Sequence, residues 1–154
     1  MMDRPAPELP DYGLGAAGLG NLYTAITDEE AGRTLAAARD AKFDYLDTAP
    51  YYGHGLSEQR VGKFLASTGY RPAISTKVGR CLDPAGSLLI PDNGFASPAP
   101  FIPRFDYSAQ GIRESFAGSQ VRLGVGSVDV LLLHDIGAVS YTHLRAHETK
   151  ANIV

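Results

Sequence analysis

Four side chains suited to proton-transfer chemistry stand at or just beyond the ends of short strand-like runs. Asp47 and Tyr52 lie in Asp-Thr-Ala-Pro-Tyr-Tyr-Gly, Lys77 in Ala-Ile-Ser-Thr-Lys-Val-Gly, and His134 in Val-Leu-Leu-Leu-His-Asp. An ammonium held by a carboxylate favours the phenolate of a nearby tyrosine and lowers a pKa that starts at about 10. Such a phenol can exchange a proton with a carbonyl oxygen near neutral pH, while a neutral imidazole N–H orients that carbonyl. Taken singly, the four read more plainly as a strand-end carboxylate, a half-buried tyrosine, a surface lysine and a packed histidine. Acting together, they need a fold that brings the carboxyl ends of successive parallel strands to one mouth.

The chain between them has the pattern for such a fold. Tyr12 to Asn21, rich in glycine with Leu14, Ala16, Ala17 and Leu19 interleaved, is expected to form a short first strand. Thr27 and Glu30 make a capping box, and Ala31, Leu35 and Ala38 then recur on one helical face to about Asp40. Phe43 to Thr48 predicts a second strand. After the turn from Pro50 to Gly55, Ser57 is expected to cap a second helix whose Val61, Phe64 and Leu65 share a face and which ends near Gly69. Ala73 to Val78 predicts the third strand, and Ser108 to Leu123 a third helix with Ile112, Phe116 and Val121 stacked. Val128 to His134 predicts a fourth strand, so uniformly apolar that burial on both faces is expected. Strict alternation of strand and helix points to crossover units and a parallel sheet. Leu82 to Arg104 holds five prolines without a sustained period and is expected to be a long loop beside the mouth.

Two other patterns carry less. Gly13, Gly15 and Gly18 satisfy the spacing of the dinucleotide-binding fingerprint, yet a proline-rich arm precedes them and the first helix opens only at Thr27. Close packing of a small-residue strand is the expectation there. His143 and His147 could share a metal on a helix, but no third ligand of suitable spacing stands near. His54 sits in what reads as an exposed glycine turn, so no metal site is expected.

The net charge of −3 offers no basic footprint for nucleic acid or anionic membrane, which leaves small-molecule partners. A single cysteine, Cys81, excludes an internal disulfide, and no secretory signal precedes the first helix, so the cytoplasm is the expected location. No apolar run approaches the ~20 residues of a membrane-spanning helix.

The quoted motifs resemble the aldo-keto reductase family, nearest its sugar and pyridoxal dehydrogenases, the D-threo-aldose and L-fucose dehydrogenases among them. The resemblance rests on Gly-Leu-Gly-Ala-Ala-Gly-Leu-Gly-Asn from Gly13, Asp-Thr-Ala-Pro-Tyr-Tyr-Gly-His-Gly-Leu-Ser-Glu from Asp47, Ser-Thr-Lys-Val-Gly-Arg from Ser75 and Leu-Leu-Leu-His-Asp from Leu131. It implies an α/β fold, a parallel (β/α)8 barrel of typically ~250 residues, of which about the first four units are written here. It further implies a catalytic tetrad of Asp47, Tyr52, Lys77 and His134, with NADP or NAD as cofactor and an aldehyde, ketone or aldose as substrate. Tyr52 would be the proton donor or acceptor. Most cofactor-binding groups would lie in the carboxyl-terminal half of such a barrel.

The organisation expected on that resemblance is an arm over residues 1–11, the amino-terminal half of the barrel over 12–137, and a non-native tail over 138–154. The 154 residues alone are then expected to be inactive. The alternatives are a non-catalytic binding or regulatory barrel and a truncated product with no function of its own.

Overall fold

Strand register decides which side chains can meet. In the computed structural model, which describes residues 9–136, four parallel strands pair in the order in which the chain makes them. These are β1 (Leu14–Gly15), β2 (Tyr45–Asp47), β3 (Ala73–Val78) and, after an excursion, β6 (Val130–Leu133). The register sets Gly15 beside Asp47, Asp47 beside Ser75, and Lys77 beside Leu132. Because each new strand joins the edge just made, the sheet winds in one direction, as a (β/α)8 barrel does and a doubly wound sheet does not.

The crossovers bury the outer face. Helix α1 (Asp28–Asp40) starts from the capping box, with the Glu30 N–H donating to the Thr27 hydroxyl and the Thr27 N–H to the Glu30 carboxylate. Its Ala31, Leu35 and Ala38 are buried as their spacing predicts. Helix α2 (Leu56–Thr68) ends at Gly69 in the left-handed region. Leu46 and Ile74 from the sheet pack with Leu35 of α1 and with Val61, Phe64 and Leu65 of α2 in one core.

Several expectations are corrected. The first strand is only two residues long, and Ala16–Gly20 is a 3-10 helix. Gly20 is needed there: the turn bearing Tyr52 lies backbone to backbone on it, and a Cβ on Gly20 or on Gly53 would overlap the other segment. Ser57 lies inside α2, whose cap is Gly55. Its hydroxyl instead donates to the Ala16 carbonyl and pairs with Thr48, tying the ends of β1 and β2 to the helix.

The stretch expected to be a loop contains an antiparallel ribbon of β4 (Arg80–Pro84) and β5 (Phe101–Phe105). Prolines hid it; Pro84 and Pro103 lie in a two-stranded ribbon, where each strand has a free edge that tolerates a missing N–H. Helix α3 (Ala109–Leu123) has the predicted bounds but buries Gly111, Ser115, Ser119 and Leu123, while Val121 faces solvent. The body of β6 is also not enclosed: Leu131, Leu132 and Leu133 are 44%, 41% and 44% exposed, because β3 flanks one edge and α3 packs over α2, β3 and β4 instead.

Candidate active site

Asp47 ends β2, Lys77 is the penultimate residue of β3, and both point to the face opposite Leu46 and Ile74. The Lys77 ammonium donates to both Asp47 carboxylate oxygens, at 2.9 and 2.7 Å, and to the Thr48 carbonyl at 2.9 Å. Ser75 adds a hydroxyl donor to Asp47 at 2.5 Å. The ion pair is half-buried, so its geometry is held by protein partners rather than by solvent.

Tyr52 arrives on the turn that follows β2. Its ring lies 4.8 Å from the Lys77 Nζ, and the His134 ring meets it edge-on with centroids 5.8 Å apart. All four residues singled out in the sequence therefore converge on the carboxyl ends of β2, β3 and β6. Phe95 of the excursion leans on Tyr51 and Tyr52 and walls one side of the group.

His134 is 6% exposed, in contrast to the strand that leads to it. Burial, with the Arg80 and Lys77 charges acting the same way against the opposing Asp135 and Asp47, pulls its pKa down to about 4. The ring is thus neutral near pH 7 and keeps one N–H donor. Its Nδ1 is buried without a partner among the described residues. Its backbone is fixed twice, the N–H donating to the Val78 carbonyl and the carbonyl accepting from the Tyr107 hydroxyl.

Sequence reasoning missed the residues that support this group. Arg80 is sandwiched between the rings of Tyr51, at 4.1 Å, and Phe105, at 4.0 Å, and pairs with Asp135 at 2.7 Å. Asp135 also stands 3.6 Å from His134 Nε2, beyond hydrogen-bond reach. His54, expected in an exposed turn, is fully buried. Arg80 sits inside the Lys-Val-Gly-Arg motif and was open to notice; Tyr107 and His54 act through partners far along the chain and left no local signal. His143 and His147 lie outside the described residues.

The dinucleotide fingerprint fails on structure as well as on context. No α-helix opens within Gly13 to Gly18, and the helix that does follow β1 carries Asp28, Glu29 and Glu30 in its first turn, which repels phosphate.

Comparison with known proteins gives the ancestry. The aldo/keto reductase family model matches residues 12–148. A D-threo-aldose 1-dehydrogenase from a Pseudomonas species is 47% identical over 132 residues, covering 82% of this chain and 40% of the relative. A pyridoxal 4-dehydrogenase from Microbacterium luteolum is 41% identical over 145 residues, covering 88% of this chain and 42% of that protein. Among solved structures, the glycerol dehydrogenase from Gluconobacter oxydans superposes with a TM-score of 0.64 at 27% identity, over 84% of this chain and 37% of its own. The chain thus spans about two fifths of the length of the curated relatives it matches. With its sequentially wound parallel sheet and a family match over most of its residues, the chain belongs to the aldo/keto reductase family.

Proposed function

We propose that this chain carries the proton-transfer half of an NAD(P)-dependent oxidoreductase acting on an aldehyde, ketone or aldose. The carrying observation is the convergence of Asp47, Tyr52, Lys77 and His134 on one rim. In the reducing direction the Tyr52 hydroxyl gives its proton to the carbonyl oxygen, and in the oxidising direction the phenolate takes it back. Lys77, pinned by Asp47 and Thr48, places a positive charge beside the Tyr52 ring. The neutral His134 donates a hydrogen bond that orients the carbonyl oxygen.

The described residues suit the reacting end of a nicotinamide cofactor. Asp47 keeps a partly exposed carboxylate that can accept from sugar hydroxyls, and the half-buried Tyr52 ring lies beside its Lys77 partner. The acidic first turn of α1 does not suit its phosphates. NADP or NAD, when bound, supplies the hydride exchanged at the carbonyl carbon. Substrates of the aldose or pyridoxal type are favoured by the names of the two relatives, a D-threo-aldose and a pyridoxal dehydrogenase.

The test is turnover by the full-length gene product with a panel of aldoses, pyridoxal and simple aldehydes, using both nicotinamide cofactors. Tyr52→Phe is expected to lower kcat by about 100-fold or more, the range for losing a positioned general acid. Undiminished turnover by Tyr52→Phe refutes the role. A full-length protein that folds but turns over nothing on the panel favours the non-catalytic barrel instead.

A further inference from the structure

We propose that His54 is a positioning residue whose buried ring bolts the β4–β5 excursion to the turn bearing Tyr52, and thereby holds the Phe95 wall of the mouth; the link to catalysis rests on the function proposed above. His54 is fully buried and sits at φ 55°, a left-handed conformation that strains a non-glycine residue. Glycines flank it on both sides, so another glycine would make the turn without that cost. The histidine earns its place through its ring.

Each ring nitrogen has a partner on the excursion. Nδ1 lies 2.7 Å from the Phe101 carbonyl oxygen, and Nε2 lies 2.7 Å from the Asn93 side-chain nitrogen. A carbonyl only accepts, so Nδ1 carries the hydrogen and donates. Nε2 is then a bare lone pair and accepts from the Asn93 amide. Only the neutral Nδ1–H tautomer satisfies both, and burial favours that uncharged ring. The Asn93 amide is oriented by this contact at a cost, since its own Oδ1 is left buried without a partner among the described residues.

The two bonds grip both ends of a stretch that runs over the mouth. Between them, the Ala99 N–H donates to the Gly53 carbonyl and the Ala96 N–H to the Asn21 carbonyl, each close to the Tyr52 turn or the 3-10 helix beneath it. Phe95 sits in the middle, 7% exposed, with its ring 5.5 Å from Tyr51 and 6.4 Å from both Tyr52 and His54. A wall held this way shapes what enters the mouth, whereas the ion pair beneath Tyr52 is anchored separately through β2 and β3.

His54→Phe keeps an aromatic ring and removes both bonds; Asn93→Ala removes one from the other side, and His54→Asn restores a side-chain N–H able to reach Phe101. Hydrogen exchange read at single amides on the full-length gene product is expected to quicken about tenfold at Ala96 and Ala99 in His54→Phe, less in Asn93→Ala, with α1 unchanged and with partial recovery in His54→Asn. Nitrogen chemical shifts of the wild-type ring are expected to report the Nδ1–H tautomer. In turnover, His54→Phe is expected to raise KM about tenfold with kcat held within about threefold, the opposite split from Tyr52→Phe.

Unchanged exchange in both His54→Phe and Asn93→Ala overturns the clamp, as does an Nε2–H tautomer. A fall in kcat with KM unchanged overturns its assignment to the wall. Should Tyr52→Phe keep full turnover while the exchange effect persists, the catalytic reading fails and the clamp stands.

Discussion

Strands β2 and β6 each deliver one proposed site residue to the rim, Asp47 and His134, but they are held there differently. The body of β2 is fully enclosed: Leu46 has no exposed surface and lies in the core under α1 and α2. The body of β6 is almost pure leucine yet more than two fifths exposed at every leucine, whereas the residue that follows it, His134, is buried. Apolar composition alone therefore did not decide burial. A covering helix did for β2, while the end of β6 is secured by polar contacts to Val78, Tyr107 and, through Asp135, Arg80.

The largest expected effect tests that contrast directly. Leu46→Ala removes a packed side chain and leaves a cavity between sheet and helices, a loss of about 2–5 kcal/mol. Leu132→Ala trims a side chain that water already reaches and is expected to cost less than about 1 kcal/mol. Urea midpoints of the two variants, measured side by side in this 154-residue chain, check the ranking. Equal losses would overturn the contrast between the two strands.

A smaller effect concerns the buried end of β6 and its pH dependence. Folded His134 holds its proton only below about pH 4, and folded His54 also below the ordinary value near 6.5, in both cases chiefly because burial disfavours the charged ring. The unfolded chain takes up these protons near pH 6.5. Between the two values the unfolded state binds more protons, so stability falls as pH drops from about 6.5 towards 4. Paired carboxylates act lower: Asp28, held down by hydrogen bonds from Arg60 and Lys63, and Asp106, held down by Ser108, give up their contribution only below about pH 4. Chemical melts at pH 7, 5.5 and 4.5 are expected to show the decline, and His134→Gln is expected to flatten it. An unaltered slope in that variant would remove His134 from the account.

What the sequence disclosed follows the range of the forces involved. Local devices were legible: the Thr27 and Glu30 box, the Gly69 stop, the stripe on α1, and strand ends marked by Asp47 and Lys77. Features made by distant partners were not. The buried face of α3 reads as polar because its serines satisfy their hydroxyls on backbone carbonyls, Ser115 on Arg80 and Ser119 on Ser115. The ribbon of β4 and β5 hides behind its prolines, and His54 looks exposed until Asn93 and Phe101 fold over it. The resemblance supplied the barrel and the catalytic roles expected of the four residues; it was silent on how the end of β6 is fixed.

The smallest expected effect isolates that fixing. Tyr107 stands two residues past the end of β5, packs its ring over Gly79, and donates its hydroxyl to the His134 carbonyl. Tyr107→Phe keeps the ring and deletes only the donor, leaving the carbonyl one partner short, at a cost of about 1 kcal/mol. If β6 owes the position of its end to polar contacts, the loss should appear locally as well as globally. Exchange at the His134 amide, which donates to Val78, should quicken, while amides of β2 and β3 should not. A stability loss spread evenly over all strands would instead assign Tyr107 to general packing, and the difference between β2 and β6 would then reduce to the presence or absence of a covering helix.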